Sequence, residues 1–147
     1  LKKAMPELEV LSFDYSPHRV LSAEFNFRRL GLPTDALFVG DGSRLPLPDR
    51  SIDLVFTSHV LEQMQEVLDT ALREIQRVAR RFAVHLEPSY RFAGWGHRLR
   101  VRRKDYPTDL EARSRRLGWR VVEWRAADPT WAPTPAEWIL LEKADAR

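Results

Sequence analysis

The sequence contains no cysteine and no long apolar run, and each absence excludes a class of protein. Without cysteine, disulfide bonds and thiolate metal sites are both excluded, which fits an intracellular protein without requiring one. No apolar stretch approaches the roughly 20 residues that a membrane-spanning helix needs, and no charged, apolar leader is recognisable. Internal repeats and low-complexity segments are also absent. We therefore expect a soluble, cytoplasmic protein.

The residues that are present fit one globular domain. A chain of 147 residues can bury about two thirds of its unfolded surface. Hydrophobic residues make up 44% and charged residues 31%, which is ordinary for a globular protein. We expect a single domain over residues 1–147.

Basic residues are concentrated in the second half of the chain. Between Arg73 and Arg125 there are 15 basic and 6 acidic residues, a balance of +9, although the whole chain carries only +3. Such a region can attract nucleic acid or an acidic partner. It is also typical of arginines on solvated helix faces, which is the simpler interpretation. The run from Arg98 to Lys104 keeps the first interpretation open, although no aromatic-interleaved RNA-binding motif accompanies it.

Short apolar runs predict six strands. The first four are residues 8–13, 36–39, 53–57 and 82–86. The last two, residues 120–124 and 137–142, are predicted to form an antiparallel hairpin at an edge of the sheet. Because 36–39 and 53–57 are almost continuously apolar, they are predicted to be covered on both faces. Pro129, Pro133 and Pro135 predict a linker between the last two strands.

Helices are predicted between these strands. One should begin at the Ser16-Pro17 pair and end near Gly31, and residues 66–80 carry the clearest amphipathic pattern. The spacing from Thr108 to Glu111 is that of a capping box. Residues 89–106 lack periodicity and are interpreted as a long loop, in which Trp95 could belong to an apolar lid or to ordinary packing. Strands alternating with helices predict a mostly parallel α/β sheet.

The polar residues that follow the strands are the first candidates for a site. Ligands of an open α/β sheet bind beyond the carboxyl ends of its strands. Asp14, Asp41, Ser58 and Glu87 stand at those positions here.

The stretch from Val39 to Phe56, VGDGSRLPLPDRSIDLVF, places an acid after one apolar run and a Leu-Pro-x-Pro-Asp link before the next. It resembles the middle of a class I S-adenosylmethionine (SAM) dependent methyltransferase of the type 11 kind. The resemblance implies a Rossmann-like three-layer αβα sheet, mostly parallel with an antiparallel C-terminal hairpin, and SAM as the cofactor. It also implies that Asp41 is a ligand and that Asp53 is not.

The resemblance further implies the residues that hold the nucleoside. Asp14, followed by Tyr15, matches the acid that accepts both ribose hydroxyls, a task suited to two carboxylate oxygens. Asp41, with Gly42 and Ser43, matches the contact to the adenine amino group. Two simpler interpretations stay open, since an Asp before Ser-Pro is also a turn and helix-start residue and Asp-Gly alone is an ordinary turn.

The methionine end of the cofactor is assigned in the same way. The resemblance implies contacts from Ser58 and His59. In the segment Val60 to Gln63, the glutamine stands where the family usually has histidine, so no base is predicted there. His59 is the candidate catalytic residue, with a structural hydrogen-bonding role as the alternative. His85 and Glu87 are too few to make a metal site, and no metal is predicted.

The glycine-rich loop of this family, which follows its first strand, is absent from the sequence. Residues 1–7 look like the end of the helix after that loop, so we expect the first βα unit to be missing. Three explanations stay open: a fragment, direct pairing of the strands that begin at Leu8 and Asp53, or a gap filled by another chain. Each predicts weakened SAM binding.

The resemblance implies methyl transfer to a small-molecule or lipid-like acceptor and leaves open that this chain is inactive. Because the leaving group is a neutral thioether, alignment and desolvation supply much of the rate. A nicotinamide dinucleotide enzyme is the rival of the same fold, and the Leu-Pro-x-Pro-Asp link speaks against it. A non-catalytic module that binds nucleic acid or an acidic partner through Arg98 to Lys104 is the rival from another class. A homo-oligomer also stays open.

Overall fold

The computed structural model describes residues 4–130 and 134–144 and divides the chain into two units, residues 1–46 and residues 47–147. The first unit contains strand β1 (Ser12–Asp14), helix α1 (Pro17–Arg29) and strand β2 (Leu37–Val39). The second contains strand β3 (Ile52–Ser58), helix α2 (Leu68–Val78), strand β4 (Ala79–Pro88), helix α3 (Trp95–Arg103), helix α4 (Leu110–Arg116), strand β5 (Trp119–Ala126) and strand β6 (Ala136–Lys143).

The first unit is a single βαβ crossover. Its two strands are parallel, with Phe13 opposite Phe38 and Asp14 opposite Val39. The two phenylalanine rings stack with their centroids 5.4 Å apart. A strand was predicted over residues 8–13, but β1 begins only at Ser12, because β2 offers just three residues for pairing.

Helix α1 begins at Pro17 and is followed by Gly31 at φ 66°, as the sequence predicted. The cap at its start differs from the expected one. The Ser16 side chain makes no capping bond within the described residues, and the first turn is closed by backbone bonds to the Ser16 carbonyl. The Asp14 carboxylate holds the backbone N–H of Ser16 instead.

The second unit is built on a four-stranded sheet with the order β3-β4-β6-β5. Strands β3 and β4 are parallel, and β6 is antiparallel to both β4 and β5. The predicted C-terminal hairpin is therefore confirmed, with β5 at the sheet edge and β6 inside the sheet. Together with the parallel β1–β2 pair, this mixed sheet with its helices confirms the predicted Rossmann-like αβα fold.

Helix α2 supplies the apolar layer on this sheet. Its buried side chains recur at helical spacing: Leu68, Ala71, Leu72, Ile75 and Val78. Leu68, Leu72 and Ile75 belong to the main core. The predicted span of 66–80 was too long, because Ala79 already has the extended backbone of β4. Strand β4 is correspondingly longer than predicted, and its exposed Arg80 pairs with Asp53 of β3.

The interpretation of residues 89–106 as a long loop was wrong. Residues 95–103 form helix α3, of which only Val101 is buried among its described side chains. A nine-residue helix with one buried apolar side chain produces no amphipathic pattern, which is why its sequence looked irregular.

The predicted capping box at Thr108 was also wrong. Helix α4 begins one residue later than the box requires, with Asp109 at its N-cap position. The Asp109 carboxylate accepts a hydrogen bond from Arg113 at 2.8 Å, and Arg113 also reaches Asp69 at 2.6 Å. The charged contact with α2's first turn therefore replaces the expected exchange between Thr108 and Glu111.

In the described residues, one expectation about coverage fails and one of the open alternatives about pairing is not realised. On β3, Val55 packs against the core, whereas Leu54 and Phe56 on the other face are exposed, so this strand is covered on one face only. Strand β1 pairs with β2 alone and β3 with β4 alone, so the strands predicted from Leu8 and Asp53 do not pair directly within the described residues.

Some expectations lie outside the described residues. One is the predicted helix end at residues 1–7, of which residues 1–3 are not described. Its remaining residues, 4–7, are not helical and include turns. Another is Pro133 of the predicted linker. Within residues 4–130 and 134–144, no helix has both the length and the apolar character needed to cross a membrane.

Candidate functional site

An aspartate stands at or just after the end of each of the two parallel strands of the first unit. Asp14 is the last residue of β1 and lies opposite Val39, the last residue of β2, and Asp41 comes two residues later. The backbone N–H of Gly40 donates to the Asp14 carbonyl at 3.1 Å, so the pairing extends to Gly40, the residue before Asp41. The two aspartates therefore stand at the same, carboxyl end of neighbouring strands, which is where an open α/β sheet binds ligands.

Gly40 lets the two strands end this close together. A Cβ at Gly40 would lie 3.2 Å from the ring of Phe13 and 3.3 Å from that of Phe38. Because side chains alternate along a strand, these rings occupy one face of the pair and Asp14 and Val39 the other. A side chain at this position would thus press against the two rings, on the face opposite to Asp14.

The Asp14 carboxylate is half-buried and already holds local partners. Its Oδ1 accepts a hydrogen bond from the backbone N–H of Ser16 at 2.8 Å, and its Oδ2 lies 3.8 Å from the Arg19 guanidinium. The helix-start interpretation of Asp14 is therefore realised. It does not exclude a ligand, because each carboxylate oxygen has two lone pairs.

The Asp41 carboxylate is exposed and uses one oxygen locally. Its Oδ1 accepts hydrogen bonds from the backbone N–H and from the hydroxyl of Ser43, at 2.8 and 2.7 Å. These bonds hold the pKa of Asp41 below its ordinary value. The side chain is thus an oriented, ionised acceptor in a turn that includes Gly42. The side chain of Tyr15, the residue after Asp14, is exposed.

Ser58 and His59 follow β3 in the second unit. Ser58 is the last strand residue, opposite Leu86, and is exposed. His59 has a left-handed backbone with φ 53°, and its N–H donates to the Leu86 carbonyl at 2.9 Å. Its Nδ1 lies 3.6 Å from Oε2 of Glu62. The histidine is therefore held between a backbone anchor and a buried carboxylate.

Glu87 closes the end of β4 beside this turn. The residue is buried, and its Oε1 accepts a hydrogen bond from the backbone N–H of Val60 at 3.3 Å. Burial raises the pKa of Glu87 to about 7, and the neighbouring Glu62 carboxylate adds to the rise, while hydrogen bonds from Thr57 and from the backbone of Val60 and Leu61 oppose it. Glu87 thus anchors the turn after β3 through its hydrogen bond with Val60.

His85, two residues earlier, is a structural residue. Its Nδ1 is 2.9 Å from the hydroxyl of Thr57, the residue opposite it on β3. Burial lowers the pKa of His85 to about 4, so the ring is neutral at physiological pH. No three His, Asp or Glu side chains come together as a metal site in the part of the chain that the structure describes.

Sequence reasoning missed the part played by Glu62 and His97. Glu62 is buried and interacts with His59, and its charge also acts on Glu87 and on His97 of α3. Burial and the nearby Arg100 lower the pKa of His97, while Glu62 raises it. The spacing of His59 and Glu62, three residues apart before a turn, was the available signal. Nothing in the sequence indicated that His97 of α3 would feel the charge of Glu62.

Comparison with known proteins agrees with the fold. The model of a family described as "Methyltransferase domain" matches residues 1–84. No curated protein matches the chain.

Many solved structures are similar. A SAM-dependent methyltransferase from Aquifex aeolicus has 17% identity and a TM-score of 0.65, with 91% of this chain and 68% of that chain covered. One from Methanosarcina mazei has 15% identity and a TM-score of 0.69, with 89% and 80% covered. The cyclase SpnF has 18% identity and a TM-score of 0.74, with 96% and 68% covered.

These structural likenesses establish the fold, and the family match covers more than half of the sequence. The carboxylates after β1 and β2 are chemically suited to the hydroxyl and amino donors of the adenosine in SAM, the cofactor of this family. The chain belongs to the methyltransferase-domain family of class I SAM-dependent methyltransferases.

Proposed function

We propose that this domain, spanning residues 1–147, transfers the methyl group of SAM to a small-molecule or lipid-like acceptor, with the nucleoside held in the first unit. Asp14 would accept the ribose hydroxyls, with Tyr15 beside it, and Asp41 the adenine amino group, with Gly42 and Ser43 shaping its turn. The observation that carries the proposal is the parallel pairing of β1 with β2, with Asp14 opposite Val39. This pairing supports a common ligand at one end of the unit.

The two carboxylates suit different donors. Asp41 is exposed and fixed by Ser43 through one oxygen, which supports a single hydrogen bond from an amino group. Both oxygens of Asp14 already have a partner, the Ser16 N–H for one and the Arg19 guanidinium at 3.8 Å for the other. Both can still accept a further hydrogen bond. An accepting pair of oxygens supports a contact with two hydroxyls, since neighbouring ribose hydroxyls match a carboxylate in spacing.

The reacting end of SAM would need its own contacts. When bound, SAM supplies a methyl group on a positively charged sulfur, and the leaving group is neutral. Ser58 and His59 remain the predicted contacts of the methionine end. His59, beside Glu62, is the candidate base for an acceptor that must lose a proton, such as a hydroxyl or an amine.

Titration calorimetry with SAM and with its demethylated product tests the nucleoside assignment. We expect Asp14→Asn and Asp41→Asn each to weaken the affinity about tenfold or more, because a hydrogen bond to a charged group contributes about 1.5–3 kcal/mol. Asp35→Asn is the matched control. Asp35 is an exposed carboxylate of the same unit, located before β2 rather than after it.

Equal affinities for the parent chain and for all three variants would remove Asp14 and Asp41 from the site. An equal loss in Asp35→Asn would mean that net charge, and not the strand ends, controls binding. Transfer of labelled methyl from SAM, tested on small-molecule and lipid extracts separately, then distinguishes the two classes of acceptor.

A further inference from the structure

Helix α3 presents an unusual surface to solvent. Trp95 is 84% exposed, more than any other large hydrophobic residue described as exposed. Leu99, one turn later, is 43% exposed, and Arg98 and Arg102 lie on the same stripe of the helix. We name this set the Trp95 surface: Trp95, Arg98, Leu99 and Arg102. It combines apolar side chains and positive charge on one face.

The charge around this surface has one sign. From Ser89 to Lys104 the chain has six basic residues and no acidic one: Arg91, Arg98, Arg100, Arg102, Arg103 and Lys104. All six are exposed. A segment with this composition attracts an anionic surface from solution, and the attraction is screened by salt.

The arginines beside Trp95 are held in place. Arg98 donates to the carbonyls of Tyr90 and Arg91 at 3.0 and 2.9 Å. The guanidinium groups of Arg98 and Arg102 lie 5.5 and 5.2 Å from the centre of the Tyr90 ring. Because these contacts order the charges before any partner binds, less conformational entropy is lost on binding.

We infer that the Trp95 surface docks the protein onto a lipid bilayer that carries anionic headgroups. Tryptophan suits the boundary between headgroups and acyl chains, and neighbouring arginines pair with lipid phosphates. Leu99 distinguishes this partner from single-stranded nucleic acid. An aliphatic side chain gains by entering an apolar layer, whereas nucleic-acid surfaces use aromatic rings for stacking on bases. The inference does not depend on methyl transfer.

Sedimentation of the full chain with vesicles tests the inference. Vesicles of phosphatidylcholine with about a third phosphatidylglycerol should bind the protein, and vesicles of phosphatidylcholine alone should bind it far less. Trp95→Ala should weaken binding to the anionic vesicles about tenfold. This is the loss expected when roughly 55 Å² of apolar side-chain surface is no longer transferred from water into the bilayer. Arg102→Glu should weaken it by at least about fivefold, the effect of one basic charge near the membrane.

Two variants serve as matched controls. Phe25→Ala removes an exposed aromatic side chain of α1, and Arg73→Glu reverses an exposed charge of α2. Both should bind anionic vesicles like the parent chain. Equal binding to both kinds of vesicle, or equal losses in the controls, would overturn the inference. So would salt-sensitive binding of a single-stranded oligonucleotide through Trp95 and Arg102 without binding to vesicles.

Discussion

Among single residues, Glu87 couples the turn after β3 to pH. Its pKa rises from an ordinary 4.5 to about 7 because the side chain is buried. Below pH 4.5 the group is protonated in both the folded and the unfolded chain. Between pH 4.5 and 7 the unfolded chain releases the proton and the folded chain keeps it, so this contribution to stability is lost as the pH rises.

Glu87→Gln should therefore gain stability relative to the parent chain by about 3 kcal/mol between pH 4.5 and 7.5. The difference in the free energy of unfolding, measured in urea at several pH values, reports this slope. His85 acts in the opposite direction, because its lowered pKa makes the folded state less stable as the pH falls from 6.5 to about 4. This contribution is the same in the parent chain and in Glu87→Gln, so it cancels when the two free energies of unfolding are subtracted. Glu66→Gln, at an exposed glutamate, is the control, and a flat difference for Glu87→Gln would contradict the prediction.

At the same scale, the sequence indicated where the candidate residues stand but not what they touch. Asp14 and Asp41 were recognisable because each follows an apolar run, and that order is preserved in space by parallel pairing. Glu62 was not recognisable as a partner of His59. Its place beside Glu87 depends on the end of β4, which lies further along the chain.

Among the elements, α2 was the most predictable and α3 the least. Five buried side chains of α2 repeat at helical spacing, so the pattern is visible without knowing the sheet that covers it. In α3 only Val101 is buried, and the helix depends on contacts such as those between Arg98 and the carbonyls before it. Elements whose stability comes from such contacts leave little periodicity in the sequence.

Leu72→Ala in α2 should destabilise the protein by about 2–5 kcal/mol, because the Leu72 side chain is only 2% exposed and its removal leaves a cavity in the core. Leu21→Ala in α1 is the same substitution at a leucine that is 61% exposed, and it should change stability by no more than about 0.5 kcal/mol. Chemical denaturation of both variants measures the contrast. Similar losses in the two variants would show that α2 does not form the principal core.

A second element-scale prediction concerns the close approach of β1 and β2. Gly40→Ala should destabilise the first unit by about 1 kcal/mol, because the added Cβ meets the rings of Phe13 and Phe38 at 3.2 and 3.3 Å and the rings must shift by a few tenths of an ångström. Gly96→Ala is the control, since a Cβ there meets nothing within 4 Å. Hydrogen exchange of the Gly40 amide, which closes the ladder on Asp14, would locate the effect. Unchanged exchange in Gly40→Ala would contradict it.

For the whole molecule, family membership predicts that SAM stabilises the folded state. At a SAM concentration 100 times the dissociation constant, the gain is about 2.7 kcal/mol, which corresponds to a rise in Tm of about 5–10 °C for a chain of this length. Thermal unfolding followed by fluorescence measures the shift, with methionine at the same concentration as the control. No shift at millimolar SAM would show that this chain does not bind the cofactor.

The sequence by itself determined the alternation of strands and helices, the apolar face of α2 and the order of polar residues along the strand ends. These features are local, because periodicity and turn residues act within a few positions of the chain. Only the tertiary structure decided that β6 lies between β4 and β5, that residues 95–103 are helical, and that Glu62, His59 and Glu87 interact. Those outcomes depend on long-range packing and on the burial of charge, which no short window of sequence contains.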